Sequence, residues 1–263
     1  MSWDFSTCPF TAVSVAGPIL GGVVRDSFNA IEAAFIGMAI LTCVGFILCL
    51  LFLPPEKAES KKKPVGARTQ APAGYLELMR SRTIFSLFFF RTCFTTCIGM
   101  VWAFLPLVAS DRLGLSSSAI GIVVMVNVFV SGLMQVPVGY LADRFNKTYL
   151  ILAGGITGIL AILYLDHATS FVQMILTNAL FGLSGGISFP AIMAAGVIEG
   201  RRTDAMGAVM GLLALGHSLG MLAGPLLAGV LLDFLPAIPI FWVGAVIIGL
   251  GTAISWINRH TFN

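Results

Sequence analysis

The sequence predicts an all-α integral membrane protein, a bundle of about eight transmembrane helices, and three observations carry that expectation. Apolar residues make up 57% of the 263-residue chain and charged residues 10%, against roughly 25% charged in soluble domains, so the bilayer is the expected solvent. The apolar residues fall in runs of about 20, the length that spans hydrocarbon as a helix. Finally, Ala16-Gly17-Pro18-Ile19-Leu20-Gly21-Gly22-Val23-Val24-Arg25-Asp26 returns 207 residues later as Ala223-Gly224-Pro225-Leu226-Leu227-Ala228-Gly229-Val230-Leu231-Leu232-Asp233. The register holds into the next run, where Phe35 falls on Trp242 and Gly37 on Gly244. A repeat this long in so apolar a chain points to two related halves.

The expected spans are 5–24, 31–53, 83–109, 117–141, 148–165, 170–196, 205–232 and 238–257. The first is the weakest. It is short, begins beside Asp4 and contains Pro9, and it lacks the basic head of a cleavable signal peptide. Between the second and third spans, segment 54–82 holds proline, glycine and seven of the fifteen Lys and Arg residues, Lys61-Lys62-Lys63 among them. That composition reads as a solvated linker, and its cations are too few and too local for a nucleic-acid face. Within it, Tyr75-Leu76-Glu77-Leu78-Met79-Arg80 reads as a short amphipathic helix on the membrane surface. With the linker cytoplasmic, twelve cations share its side, Arg25 and Arg112 lie opposite, and Arg91 falls inside a span. This is a strong positive-inside bias, and an even number of spans puts both termini on the cytoplasmic side as well. Residues 1–53 are thus expected as a two-helix unit, 54–82 as a linker and 83–263 as a six-helix bundle. The five cysteines sit in apolar runs. Cys93 and Cys97 are one turn apart with no histidine or carboxylate beside them, which reads as core packing.

Between the fourth and fifth spans stands Gly139-Tyr140-Leu141-Ala142-Asp143-Arg144-Phe145-Asn146-Lys147. An isolated Asp-Arg in a cytoplasmic turn would read as loop solvation. The full spacing resembles the G-x-L-A-D-R-x-x-R/K loop motif of the major facilitator superfamily, closely through Arg144 and with Asn146 in place of the usual glycine. The repeated Gly-Pro-x-x-x-Gly element (Gly17, Pro18, Gly22; Gly224, Pro225, Gly229) resembles that family's antiporter motif at the outer end of the fifth helix, echoed in the eleventh. The resemblance covers essentially the whole chain. It implies a major-facilitator-type helix bundle in which the first two spans correspond to helices five and six and the other six to helices seven to twelve.

By the 207-residue offset, Met1 falls opposite Ala208. Counterparts of helices one to four are therefore expected to be absent, through a truncated gene, a late start codon or a partial gene model. The resemblance implies secondary transport of a small organic solute by alternating access in the cell membrane, with proton coupling in the drug:proton antiporter branch. The implied partners are the bilayer and the solute, with no nucleic acid, no ATP, no cofactor and no metal. No P-loop is present in the sequence. With one cavity wall largely lacking, the chain is expected not to transport on its own. Two rivals stand beside this reading: a non-transporting fragment or interaction half-bundle, and a membrane enzyme. Against the last, no His, Asp, Ser or Cys constellation converges in the spans.

In family members helices one, four, seven and ten line the central cavity, so the resemblance directs attention to the third and sixth spans. On the third, Arg91 sits about 12 Å deep at 1.5 Å per residue. Two readings fit it, snorkelling to cytoplasmic headgroups and a cavity-lining cation. Thr95, Ile98 and Trp102 follow it on one face. On the sixth, Gln173, Thr177, Phe181, Ser184 and Ser188 share a face, as cavity lining or as small-residue helix packing. Asn127, Ser131 and Gln135 on the fourth span read as helix–helix hydrogen bonders. Gly207, Gly211, Gly216, Gly220 and Gly224 suit close backbone approach, His217 reads as a packing residue, and the Gly-Pro pairs are expected to bend or loosen their helices. The resemblance further implies a cytoplasmic gate of Gly139, Asp143, Arg144, Lys147 and Glu199, in which Arg144 meets an acid at the end of a neighbouring helix. Glu199 is the one carboxylate placed to serve. Asp143 suits a helix N-terminus, where partial positive charge collects.

Overall fold

Helices carry nearly all the residues described by a computed structural model of the chain, which are 20–27, 31–52, 75–234 and 239–259. In order they are α1 (20–27), α2 (Ile31–Phe52), α3 (Tyr75–Met79), α4 (Arg82–Leu113), α5 (Ser117–Arg144), α6 (Lys147–Asp166), α7 (Phe171–Arg202), α8 (Met206–Phe234) and α9 (Ile240–Ile257). Among the described residues six helices, α4 to α9, are long and apolar enough to cross a membrane. They match the last six expected spans to within six residues at every end. The second expected span is α2, one continuous helix. Most of the first lies outside the described residues.

Local chemistry sets the helix ends. Ser116 Oγ accepts from Ala119 N, Asn146 Oδ1 from Thr148 N, and Ser170 Oγ from Gln173 N. Each satisfies one amide that the first helical turn leaves without a partner. Gly114 ends α4 in the left-handed region at φ +60°, a conformation glycine adopts without steric cost.

The inner layer is α4, α6, α7 and α9, with α5 laid on α7 and α8 laid on α4. Phe90, Phe94 and Phe181 stack in sequence through the core at centroid separations of 5.9 and 6.0 Å, beside the fully buried Ile162 and Ile248. Glycine makes the α4–α8 seam. A Cβ on Gly220 would overlap Thr95 Oγ1 and lie 2.5 Å from Thr92 O, so only glycine permits this approach. The expected core role of the cysteines holds: Cys93 and Cys97 are buried and face Gly251 and Gly244 of α9.

Two expectations meet the structure here. Helix α8 runs without interruption from Met206 to Phe234 through the Gly224-Pro225 pair, so the pair loosens the helix by one bond without ending it. Proline removes one i→i−4 bond, the one that would reach Met221 O. Gly99 of α4 leaves room for both the ring and that carbonyl, since a Cβ there would sit 3.0 Å from Pro225 Cδ and 3.1 Å from Met221 O. The short helix α3 forms where expected, with Leu78 turned into the bundle and Leu76 exposed. Leu78 is buried among Ile84, Ala205, Val209 and Leu212, which ties α3 to α4 and α8.

Candidate functional site

One strongly basic end of the bundle collects the start of α4 and α6 and the ends of α5, α7 and α9. From that end Arg91 projects inward on α4. It is 8% exposed. Its Nη2 donates to His217 Nδ1 of α8 at 3.3 Å, and its guanidinium carbon lies 4.7 Å from the ring centroid of Phe189 on α7. Phe189 lies about 20 Å inside the end of α7 at 1.5 Å per residue, and His217 is similarly deep in α8. The side chain therefore turns towards groups at least as deep as itself rather than towards the headgroups. An arginine has no acceptor, so Nδ1 of His217 supplies the lone pair and the ring is the neutral Nε2–H tautomer. Nε of Arg91 has no hydrogen-bond partner. All of these contacts come from α7 and α8. They place the group on the side of α4 turned away from α6 and α9.

The residues expected to follow Arg91 as a stripe separate. Thr95 is fully buried, donates to Arg91 O at 2.8 Å and Gly216 O at 3.4 Å, and lies against Gly220. It is a seam residue, not a cavity residue, because α8 approaches too closely to leave a lumen there. Trp102 is 47% exposed. The α7 stripe divides in the same way. Phe181 stacks on Phe94 in the core. Ser184 donates to Gly154 O of α6 at 2.7 Å. Ser188 is 1% exposed, lies against Gly154 and has no partner for its hydroxyl. Gln173 and Thr177 open onto a groove of about 440 Å³ between α6 and α7 at the end remote from the basic one, which Tyr164, His167, Leu176 and Leu180 also line. The face read from spacing is thus mostly an α6-facing packing surface. On α5, Asn127 Nδ2 donates to Asn178 O at 3.1 Å, the helix–helix role expected of it.

The gate motif forms a tight turn. Phe145 and Asn146 alone join α5 to α6, and Asn146, at the position where the family motif has glycine, caps α6. The expected pairing of Arg144 with Glu199 is not made. Glu199 Oε2 takes Arg202 at 2.8 Å, one turn along α7. The Arg144 guanidinium lies 4.3 Å from the ring centroid of Tyr140, one turn back on α5. Both side chains found partners on their own helices, where i,i+3 and i,i+4 neighbours meet without ordering a second element. Asp143 is exposed, Lys147 is half-buried, and Gly139 faces open space.

Of the repeated bend motif, Gly17 and Pro18 lie outside the described residues, and Gly229 of the second copy meets open space. Gly22 is informative: a Cβ there would sit 2.5 Å from Ser117 O, so α1 packs directly on the start of α5. Asp26 Oδ2 accepts from Ser118 N at 2.8 Å and Ser118 Oγ at 2.5 Å, and Arg25 bonds Ser117 Oγ. The bonds from Ser118, its hydroxyl first and then its amide, hold the Asp26 carboxyl below its ordinary value of 3.8. Sequence reasoning missed this contact, although three serines heading a helix are a recognisable N-terminal signal. Phe189 was missed too. One aromatic in an apolar run carries no signal of its own.

Residues 87–262 match the family model of the Major Facilitator Superfamily. The chain is 30% identical over 230 residues to the tetracycline resistance protein, class C, of Escherichia coli, which covers 84% of this chain and 55% of that protein. It is 26% identical over 264 residues to the MFS-type transporter SLC18B1 of Rattus norvegicus, covering 94% of this chain and 54% of that one. With the multidrug resistance protein MdtG of an Escherichia coli strain it shares 22% identity over 259 residues, 97% of this chain and 62% of that protein. The chain spans about half the length of the curated relatives it matches.

Proposed function

Because the chain belongs to the Major Facilitator Superfamily, we propose that it forms one wall of a secondary transporter for a small organic solute. The wall is the bundle α4–α9, and the solute path runs along the face where α4, α7 and α8 converge on Arg91. The observation that carries this reading is the Arg91 guanidinium. It is buried away from both ends of the bundle and held by Phe189 and His217 rather than by an acid. Charge near mid-membrane costs roughly 2.5–3.5 kcal/mol or more and characteristically marks a substrate or ion pathway. The basic end is cytoplasmic under this proposal, residues 1–53 act as a helical unit docked on α5 through α1 and residues 54–82 as a linker anchored on the bundle through α3, and the membrane is the cell membrane. Transport works by alternating access, in which two helical units rock about a site between them. The relatives named for tetracycline and multidrug resistance favour export, with a proton gradient as the drive.

The test is solute flux in proteoliposomes under an imposed proton gradient. The chain alone, as a monomer, is expected to give no saturable flux. The chain joined to a second helical unit from a tetracycline-resistance relative is expected to give it, and Arg91→Ala should remove it while insertion is kept. Saturable flux from the monomeric chain would refute the divided wall. Absence of flux for hydrophobic cations, neutral solutes and anions in the joined protein would refute transport.

A further inference from the structure

We propose that the junction of α4, α7 and α8 is an anion-binding site, and that the solute accepted there carries a carboxylate. The inference rests on the reading of this junction as a solute path and names the chemical class that path would select.

The guanidinium of Arg91 has five N–H donors and no acceptor. One donor goes to His217 Nδ1. Nε is buried without a partner. Phe189 takes the flat face of the group, a contact of ring quadrupole with cation that uses none of the in-plane donors. A carboxylate is the ligand whose geometry matches that remaining edge, through two parallel charge-assisted hydrogen bonds.

Charge balance points the same way. Among the described residues the ion pairs are Arg112 with Asp166 and Arg202 with Glu199, both at helix ends. Every described Asp and Glu lies in a helix end, a connection or one of α1 to α3, so no carboxylate of the bundle reaches Arg91. Nor does His217 offset the charge, since as an acceptor through Nδ1 it is neutral. Its Nε2–H adds a donor to the neighbourhood and no acceptor. The junction is therefore rich in donors and carries a net positive charge inside an apolar bundle. An organic anion entering it removes the cost of the isolated cation. An organic cation would add to that cost, and a neutral solute would leave it unchanged. A purely structural role for Arg91 would be better met by an apolar side chain of similar length, because an unpaired buried ion destabilises its surroundings.

The test uses three probes with one ring and three charges, benzoate, benzyl alcohol and benzylammonium, titrated against the purified full chain in lipid nanodiscs. Benzoate is expected to bind at one saturable site, with at least tenfold preference over the other two. Arg91→Gln should lower benzoate affinity at least tenfold, and Arg91→Lys should restore part of it. Phe189→Leu, which keeps an apolar side chain but releases the guanidinium face, should cost severalfold for benzoate alone. It remains informative if Arg91→Gln fails to fold. Benzylammonium binding as tightly as benzoate, or benzoate affinity unchanged in a folded Arg91→Gln chain, would overturn the anion site while leaving a solute path of another selectivity. So would no binding of benzoate at all. Benzoate binding with no flux of any solute in the joined protein would instead sink the transport reading and leave the anion site standing.

Discussion

Ser184 on α7 donates its hydroxyl to the carbonyl of Gly154 on α6 across 2.7 Å, and the bond exists because α6 presents no side chain there. A Cβ on Gly154 would overlap Ser188 Oγ, and one on Gly158 would sit 2.7 Å from Ser184 Oγ. The seam between α4 and α8 repeats the device, with threonine in place of serine and Gly216, Gly220 and Gly224 opposite. Helices in a bilayer gain little from hiding apolar surface from lipid, so close backbone packing and short interhelical hydrogen bonds hold them together.

The first prediction tests that seam. Gly220→Ala places a methyl 2.5 Å from Thr92 O and 2.7 Å from Thr96 N, both backbone atoms of α4 that no rotamer change can move. The loss should be about 1–3 kcal/mol, the usual cost of overpacking, read as a lowered midpoint in a thermal unfolding assay in detergent. Gly207→Ala on the same helix meets nothing within 4 Å. It should be neutral or stabilising by up to about 1 kcal/mol, the helix-propensity difference between the two residues. Equal effects at the two positions would mean that the close approach is not what Gly220 provides.

The same seams explain what was legible in the sequence and what was not. Span positions and the six-helix unit could be read because run length and the flanking cations respond to the bilayer, which acts on every helix alike. The turn motif from Gly139 to Lys147 was legible because its spacing is specific. The small polar stripe on α7 fits both cavity lining and packing in sequence, and its Ser184 and Ser188 pack on α6. Ser184, Ser188 and Thr95 look the same in sequence whether they face water or a neighbouring glycine. Deciding between the two needs the position of α6 and α8, a tertiary fact. Arg91 was legible as an anomaly, a charge within an apolar run. Its partners Phe189 and His217 come from helices distant in sequence and could not be paired with it by pattern.

A second prediction concerns the basic end. A carboxylate at a helix C-terminus opposes the macrodipole, and Glu199, 5% exposed, is offset by Arg202. Arg202 is 60% exposed at its side chain, so the pair should be worth only about 0.2–1 kcal/mol. A double-mutant cycle of Glu199→Gln with Arg202→Gln, measured by thermal unfolding, should return that coupling. The same cycle with Arg144→Gln should return none. Larger coupling of Glu199 to Arg144 than to Arg202 would restore the cross-helix pairing that the sequence motif suggested.

The last prediction concerns the contact between α1 and α5. Asp26 accepts from both the hydroxyl and the amide of Ser118, in the first turn of α5. An anion is favoured there by the unpaired amides and by the helix dipole. The two hydrogen bonds hold the Asp26 carboxyl below 3.8. For a carboxylate with a depressed value in the docked state, docking is fully supported above the ordinary value and weakens as pH falls through the depressed one. The attachment of α1 should therefore be constant from neutral pH down to about pH 4 and loosen in more acidic solution. Spin labels at Val23 and Ala119 would report it as a distance that lengthens and broadens in that acidic window. Asp26→Asn keeps the shape but removes the charge, and should give the broadened distance already at pH 7 with no further change on acidification. Asp233, the counterpart of Asp26 in the second copy of the repeat, is exposed and caps no helix among the described residues, so Asp233→Asn should leave the distance unchanged. A distance insensitive to both acid and Asp26→Asn would mean that Gly22 and backbone packing alone hold α1 against α5.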